Sequence, residues 1–217
     1  MWSEIIMTTI YILRHSKPFR NSLGNYNVNE IEQIRNEKNP LSVEGESKAL
    51  EMSKYNELKN IDILYSSHYV RAMSTAKYIA EANNILLNVD ERLGERRFGI
   101  NDIKELPKTY FKDQFTNLNY KIGNGESINE VALRMQEAIL EIIDNNKDKK
   151  ICIVSHGTAI SAMLSKWCDI KYNEDTDLIE IYFNNNLVFD GNWNSPELFR
   201  LDFENNNLIN ILNIRIN

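Results

Sequence analysis

Positive charge, cysteine and long apolar runs are all scarce in this 217-residue chain. Lys and Arg number 25 against 31 Asp and Glu, a net charge of -6. That balance offers no basic face, so neither nucleic acid nor an anionic membrane is expected as a partner. The two cysteines, Cys152 and Cys168, are too few for a disulfide framework and stand in apolar surroundings. They are expected as buried thiols in a reducing compartment. No apolar stretch approaches the roughly 20 residues of a membrane-spanning helix. The opening residues, Met1 to Leu13, put no Lys or Arg ahead of their apolar run and contain no small-residue cleavage site. They do not read as a signal peptide, and a cytoplasmic protein is expected.

What is present is an ordinary globular composition, 42% apolar and 26% charged. The length suits a single domain, residues 1–217, with a modest insertion. Three short β-branched runs stop abruptly at polar residues: Thr8 to Leu13, Ile61 to Ser66 and Ile151 to Ser155. So little alternation suits strands buried on both faces of a mainly parallel sheet. Helical patterns lie between and after them, at Glu44 to Leu58, Val70 to Glu81, Ser127 to Asn145 and Thr158 to Trp167. The third opens on the capping-box pattern Ser127-Ile128-Asn129-Glu130. Residues 100–125 carry Phe111, Phe115, Leu118 and Tyr120 in polar sequence and read as a small, partly helical insertion, a lid. From Leu178 onward, β-like runs with Asn-rich turns suggest an edge strand and a hairpin. The expected fold is α/β, a three-layer sandwich with a mostly parallel sheet, helices on both faces and an antiparallel edge strand.

Only three histidines occur, His15, His68 and His156, and each follows one of the buried strands. In such sheets ligands bind at the carboxyl edge of the strands. Phosphoryl transfer needs positive donors for a dianion, and Arg14 and Arg71 also follow buried strands. A neutral imidazole suits the nucleophile, because neighbouring arginines oppose its protonation. A carboxyl group must then protonate the leaving alkoxide, and Glu95 in Leu93-Gly94-Glu95-Arg96-Arg97-Phe98-Gly99 is the candidate.

Five segments, in order, resemble the histidine phosphatase superfamily, the phosphoglycerate-mutase-like proteins. They are Ile12-Leu13-Arg14-His15-Ser16, Leu41-Ser42-Val43-Glu44-Gly45, Ser66-Ser67-His68-Tyr69-Val70-Arg71-Ala72, Glu95-Arg96-Arg97-Phe98-Gly99 and Val154-Ser155-His156-Gly157. The resemblance implies His15 as nucleophile, Glu95 as proton donor, and Arg14, Arg71, His156 and Asn21 around the substrate phosphate. It implies no metal and no other cofactor. Ser16 replaces the usual glycine, so the turn after His15 must accept a Cβ. His68 stands where the family often has proline and is expected, with Ser16, at the pocket rim. A small phosphorylated substrate is the expected partner, and a homodimer is left open. Hydrolysis of phosphomonoesters through a phosphohistidine is the favoured reading, since the insertion is shorter than the one that closes over substrate in the mutases. The alternatives are mutase-type phosphoryl transfer and a non-catalytic domain that binds phosphorylated ligands.

Overall fold

The computed structural model describes residues 7–19 and 31–215. Its main sheet has six strands in the order β3-β2-β4-β1-β8-β9. These are β1 (Met7–Arg14), β2 (Ile63–Ser66), β3 (Leu87–Val89), β4 (Lys150–Ser155), β8 (Glu197–Glu204) and β9 (Asn207–Ile214). The pairs β1–β4, β2–β4 and β2–β3 are parallel, whereas β8 pairs antiparallel with both β1 and β9.

Strict two-residue periodicity divides the central strands between two cores. Ile10, Ile12, Ile151 and Ile153 face one side, against α5 (Ile128–Asn145) and α6 (Gly157–Leu164). Tyr11, Leu13, Cys152 and Val154 face the other, against α2 (Val43–Met52) and α3 (Val70–Asn83). Both faces are covered, which explains the unbroken apolar runs. Helix α5 begins as its sequence specifies: Ser127 accepts from the Glu130 backbone, and the Glu130 side chain accepts from that of Ser127. Its buried positions, Ile128, Val131, Ala132, Met135, Ala138, Ile139, Ile142 and Ile143, form one stripe. Both cysteines are free and buried.

Two features depart from the expectation. Leu178–Phe183 is not an edge strand of the main sheet. It is β6, the centre of a separate antiparallel sheet with β5 (Asp169–Asn173) and β7 (Asn186–Phe189). The antiparallel part of the main sheet is consequently a hairpin, β8–β9, with β8 inside. Helix α2 stops at Met52, six residues early, and a 3-10 turn at Asn56–Leu58 completes the segment. The asparagines of the tail have a backbone role. Asn184-Asn185 and Asn205-Asn206 all have positive φ, between 47° and 67°, and they close two-residue hairpin loops whose turn demands that conformation twice. A short α1 (Glu32–Lys38) packs near α3, and α4 (Tyr110–Thr116) lies within the 100–125 insertion. Among the described residues no helix is long and apolar enough to cross a membrane.

Candidate active site

The order β2-β4-β1 sets three strand ends side by side, with Arg14 opposite Ser155 and Ser66 opposite Val154. His15, Ser67 and His156, the residues next in chain after these strands, therefore meet at one edge. The backbone N–H of His15 donates to Ser155 O at 2.9 Å and fixes the turn.

The ring of His15 is held in one tautomer. Its Nδ1 lies 2.7 Å from Ser16 O, an acceptor, so Nδ1 carries the hydrogen. Nε2 is then bare, and Arg71 Nε donates to it at 2.9 Å. Arg71 Nη2 reaches His156 Nδ1 at 3.2 Å. A guanidinium can only donate, so the hydrogen of His156 sits on Nε2, which donates to Ser67 Oγ at 2.8 Å. The two imidazoles meet edge-on with centroids 5.1 Å apart. Burial, then the charge of Arg71, holds the His15 pKa well below the ordinary histidine value. Arg14 acts the same way, and the Ser16 carbonyl opposes. Burial and Arg71 depress His156 likewise. Both rings are neutral at physiological pH.

Arg71 is itself buried, lies over the Tyr69 ring at 4.7 Å and donates to Asn36 O. Arg14 approaches from the other side. The antiparallel start of β8 brings the 193–195 loop to the end of β1, and Arg14 Nη1 donates to Asn194 O at 3.1 Å, close to the Trp193 ring.

Ser16 is not at the rim. It is fully buried beneath His15, where its N–H donates to Thr75 Oγ1 at 2.9 Å and its Oγ to Gly45 O at 2.7 Å. Its φ is not positive, so the turn accepts a Cβ. The tight spot lies one layer back: a Cβ on Gly45 would stand 2.0 Å from Lys17 O. His68 does line a cavity, with its Nε2 3.6 Å from Glu37 Oε1 and its ring against Tyr69. Asn21 lies outside the described residues.

Glu95 reaches the same edge. Its Oε1 accepts from Arg96 N at 2.9 Å and from Ala159 N at 3.0 Å, the latter a donor in the first turn of α6. Sequence reasoning missed the residues that hold its loop. Arg134 donates to the carbonyl oxygens of Arg92, Gly94 and Glu95 at 2.6, 3.0 and 3.2 Å, with its charge paired to Glu126 at 2.7 Å. Arg96 is 1% exposed, donates to Glu126 O and Gln114 Oε1, and lies over the Tyr110 ring. It thus ties the Glu95 loop to α4. Glu95 stands between two cavities. One, of about 290 Å³, is lined by charged groups that include Glu37, Glu91 and Arg97. The other, of about 140 Å³, includes Arg14, Phe111, Phe115 and Trp193. Among the described residues no group of three His, Cys, Asp or Glu side chains is placed to hold a metal ion.

Two probable phosphoglycerate mutases named GpmB are similar in sequence. The one from Citrobacter koseri is 25% identical over 73% of this chain and 74% of its own length. The one from Erwinia tasmaniensis is 24% identical over 79% and 80%. Among solved structures, a mycobacterial glucosyl-3-phosphoglycerate phosphatase complexed with VO3 superposes with a TM-score of 0.69 at 19% identity, over 96% of this chain and 98% of that one. A phosphoserine phosphatase from Entamoeba histolytica gives 0.64 at 21% identity, over 94% and 96%. The pattern of branch 1 of the histidine phosphatase superfamily matches residues 10–184, and the chain belongs to that family.

Proposed function

We propose that the protein hydrolyses phosphomonoesters of small molecules through a phosphohistidine on His15. One observation carries the reading: Arg71 bridges the bare Nε2 of His15 and Nδ1 of His156. A nucleophile without a proton and a fixed positive charge therefore share one spot at the sheet edge.

In the first step the Nε2 lone pair attacks phosphorus and the bond from phosphorus to the ester oxygen breaks. Glu95 gives that oxygen its proton. The Nδ1–H of His15 stays on Ser16 O, which supports the positive charge of the phosphorylated ring. Arg14 and Arg71 stabilise the charge on the phosphoryl oxygens. A dianion beside His156 Nδ1 favours its protonation and adds a further donor. In the second step water attacks phosphorus, passes a proton to the Glu95 carboxylate, and the P–N bond breaks. Inorganic phosphate leaves and His15 is neutral again.

The names of the sequence relatives favour a second reading, transfer between two hydroxyls. Hydrolysis is preferred because the cover over the site is small: residues 100–125 hold one 3-10 turn and one seven-residue helix. Phosphate release from p-nitrophenyl phosphate in the presence of chelator tests the phosphatase, with His15→Ala expected to abolish it. No release beside an active control enzyme sinks the reading. Incubation with 3-phosphoglycerate, followed by ³¹P NMR, separates free phosphate from an isomerised ester.

A further inference from the structure

The smaller cavity is walled in part by two residues of the proposed site. Arg14, on the phosphate side, and Glu95, whose proton goes to the leaving oxygen, are both in its wall. The rest of that wall is mixed: Phe111 and Phe115 from α4, Ile179 from β6 and Trp193 from the loop before β8 supply aromatic and aliphatic surface, and Thr158 in the first turn of α6 adds a hydroxyl. Ser161 also lines it, but its hydroxyl donates to Gly157 O at 3.0 Å. The wall is held in place. Phe111 and Phe115 pack edge-on with centroids 5.3 Å apart, and Lys112 on α4 pairs with Glu174 after β5 at 2.6 Å. Strand β5 of the small sheet thus lies against α4.

Size narrows the occupant. A volume of about 150 Å³ is enough for one benzene ring, and this partly open cavity measures about 140 Å³. The larger cavity shares Glu95 but is lined by Glu37, Glu91, Arg92 and Arg97, a wall suited to polar groups. Resting on the phosphatase reading above, the geometry points to a leaving-group subsite for one flat, uncharged ring, so that the preferred substrates are phosphomonoesters of small aryl or arylalkyl alcohols. Carbon attached to an ester oxygen beside Glu95 enters this cavity, where the aromatic edges and faces contact a ring, whereas Phe111, Phe115, Ile179 and Trp193 offer a polyol no partners for most of its hydroxyls.

Benzyl phosphate and glycerol 1-phosphate test this directly, because both leave as alkoxides and differ chiefly in the apolar ring. The wild type is expected to show at least about a tenfold higher kcat/KM for benzyl phosphate, the discrimination a modest apolar pocket provides. Phe111→Ala, at a side chain 39% exposed, is expected to narrow that ratio toward one through a higher KM for the benzyl ester. Phe111→Lys is expected to shift preference toward 3-phosphoglycerate. A wild type that favours the glycerol ester, or a ratio that survives Phe111→Ala, overturns the subsite while p-nitrophenyl phosphate turnover leaves the phosphatase standing. Failure to hydrolyse any of these esters overturns both.

Discussion

Arg71 Nε lies 2.9 Å from His15 Nε2, on the one nitrogen of that ring that carries no hydrogen. The guanidinium proposed to bind a phosphoryl oxygen thus also orients the ring of the proposed nucleophile. It also opposes protonation of both rings. Orientation and tuning of the two rings thus converge on one side chain, to which the proposed mechanism adds charge stabilisation.

Arg71→Gln is therefore expected to cost more than a distant cation would. Loss of a single oxyanion donor lowers kcat by about 10²–10³, and at least that loss is expected here. Steady-state kinetics with p-nitrophenyl phosphate check it, with a thermal melt to confirm folding. A variant within threefold of wild type would remove Arg71 from the chemistry.

Glu95→Gln retains a side-chain oxygen to accept from Ala159 N and Arg96 N but supplies no acidic proton. The rate with alkyl phosphates is expected to fall by about 10²–10⁴. p-Nitrophenyl phosphate, whose leaving group needs little protonation, should lose far less. Equal losses for both ester types would assign the proton elsewhere.

Arg14, His15 and His156 were legible because each sits where a patterned strand stops, whereas Glu95 stood out only through the family resemblance. Arg14 and His156 end or follow strands whose neighbours Ile12, Leu13, Ile153 and Val154 fill both cores. Arg134 gave no such signal. It lies within α5, and its partners Arg92, Gly94 and Glu95 are about 40 residues away in the chain, joined only by tertiary packing. Strands β5 and β7 were hidden for another reason: Lys171, Asn186 and Leu187 are exposed on an open three-stranded sheet, so no apolar period marks them. Ser16 showed as a departure from a glycine signature, but only the structure reveals that the backbone there needs no glycine and that the steric demand falls on Gly45.

That relocation is testable. Gly45→Ala drives a methyl toward Lys17 O, and neither backbone segment can yield easily, because Ser42 N already donates to that oxygen at 3.0 Å. A loss of about 1–3 kcal/mol or more is expected. Ser16→Gly removes the Oγ bond to Gly45 O and should cost about 1 kcal/mol with phosphatase turnover retained. Urea denaturation of both variants checks the order. A neutral Gly45→Ala would contradict the close approach.

The two depressed histidines make stability depend on pH. Burial, then Arg71, lowers the folded-state pKa of both His15 and His156. In the unfolded chain each titrates near about 6.5. As pH falls below that value the unfolded state takes up protons first, so the contribution present above pH ~6.5 is lost toward the folded-state values. Glu126 acts in a more acidic window. Burial pushes its pKa up, the Arg134 and Arg97 contacts together outweigh burial, and the net shift is downward from 4.5. Between pH 6 and 5 the histidines should therefore dominate among these groups, and Tm should fall steadily across that interval. His156→Asn removes one of the two protons and should reduce the slope of unfolding free energy by up to about 1.4 kcal/mol per pH unit. Denaturant titrations at pH 5, 5.5 and 6 measure that slope. A slope identical in the variant and the wild type would mean that His156 does not take up its proton on unfolding and is not held neutral in the fold.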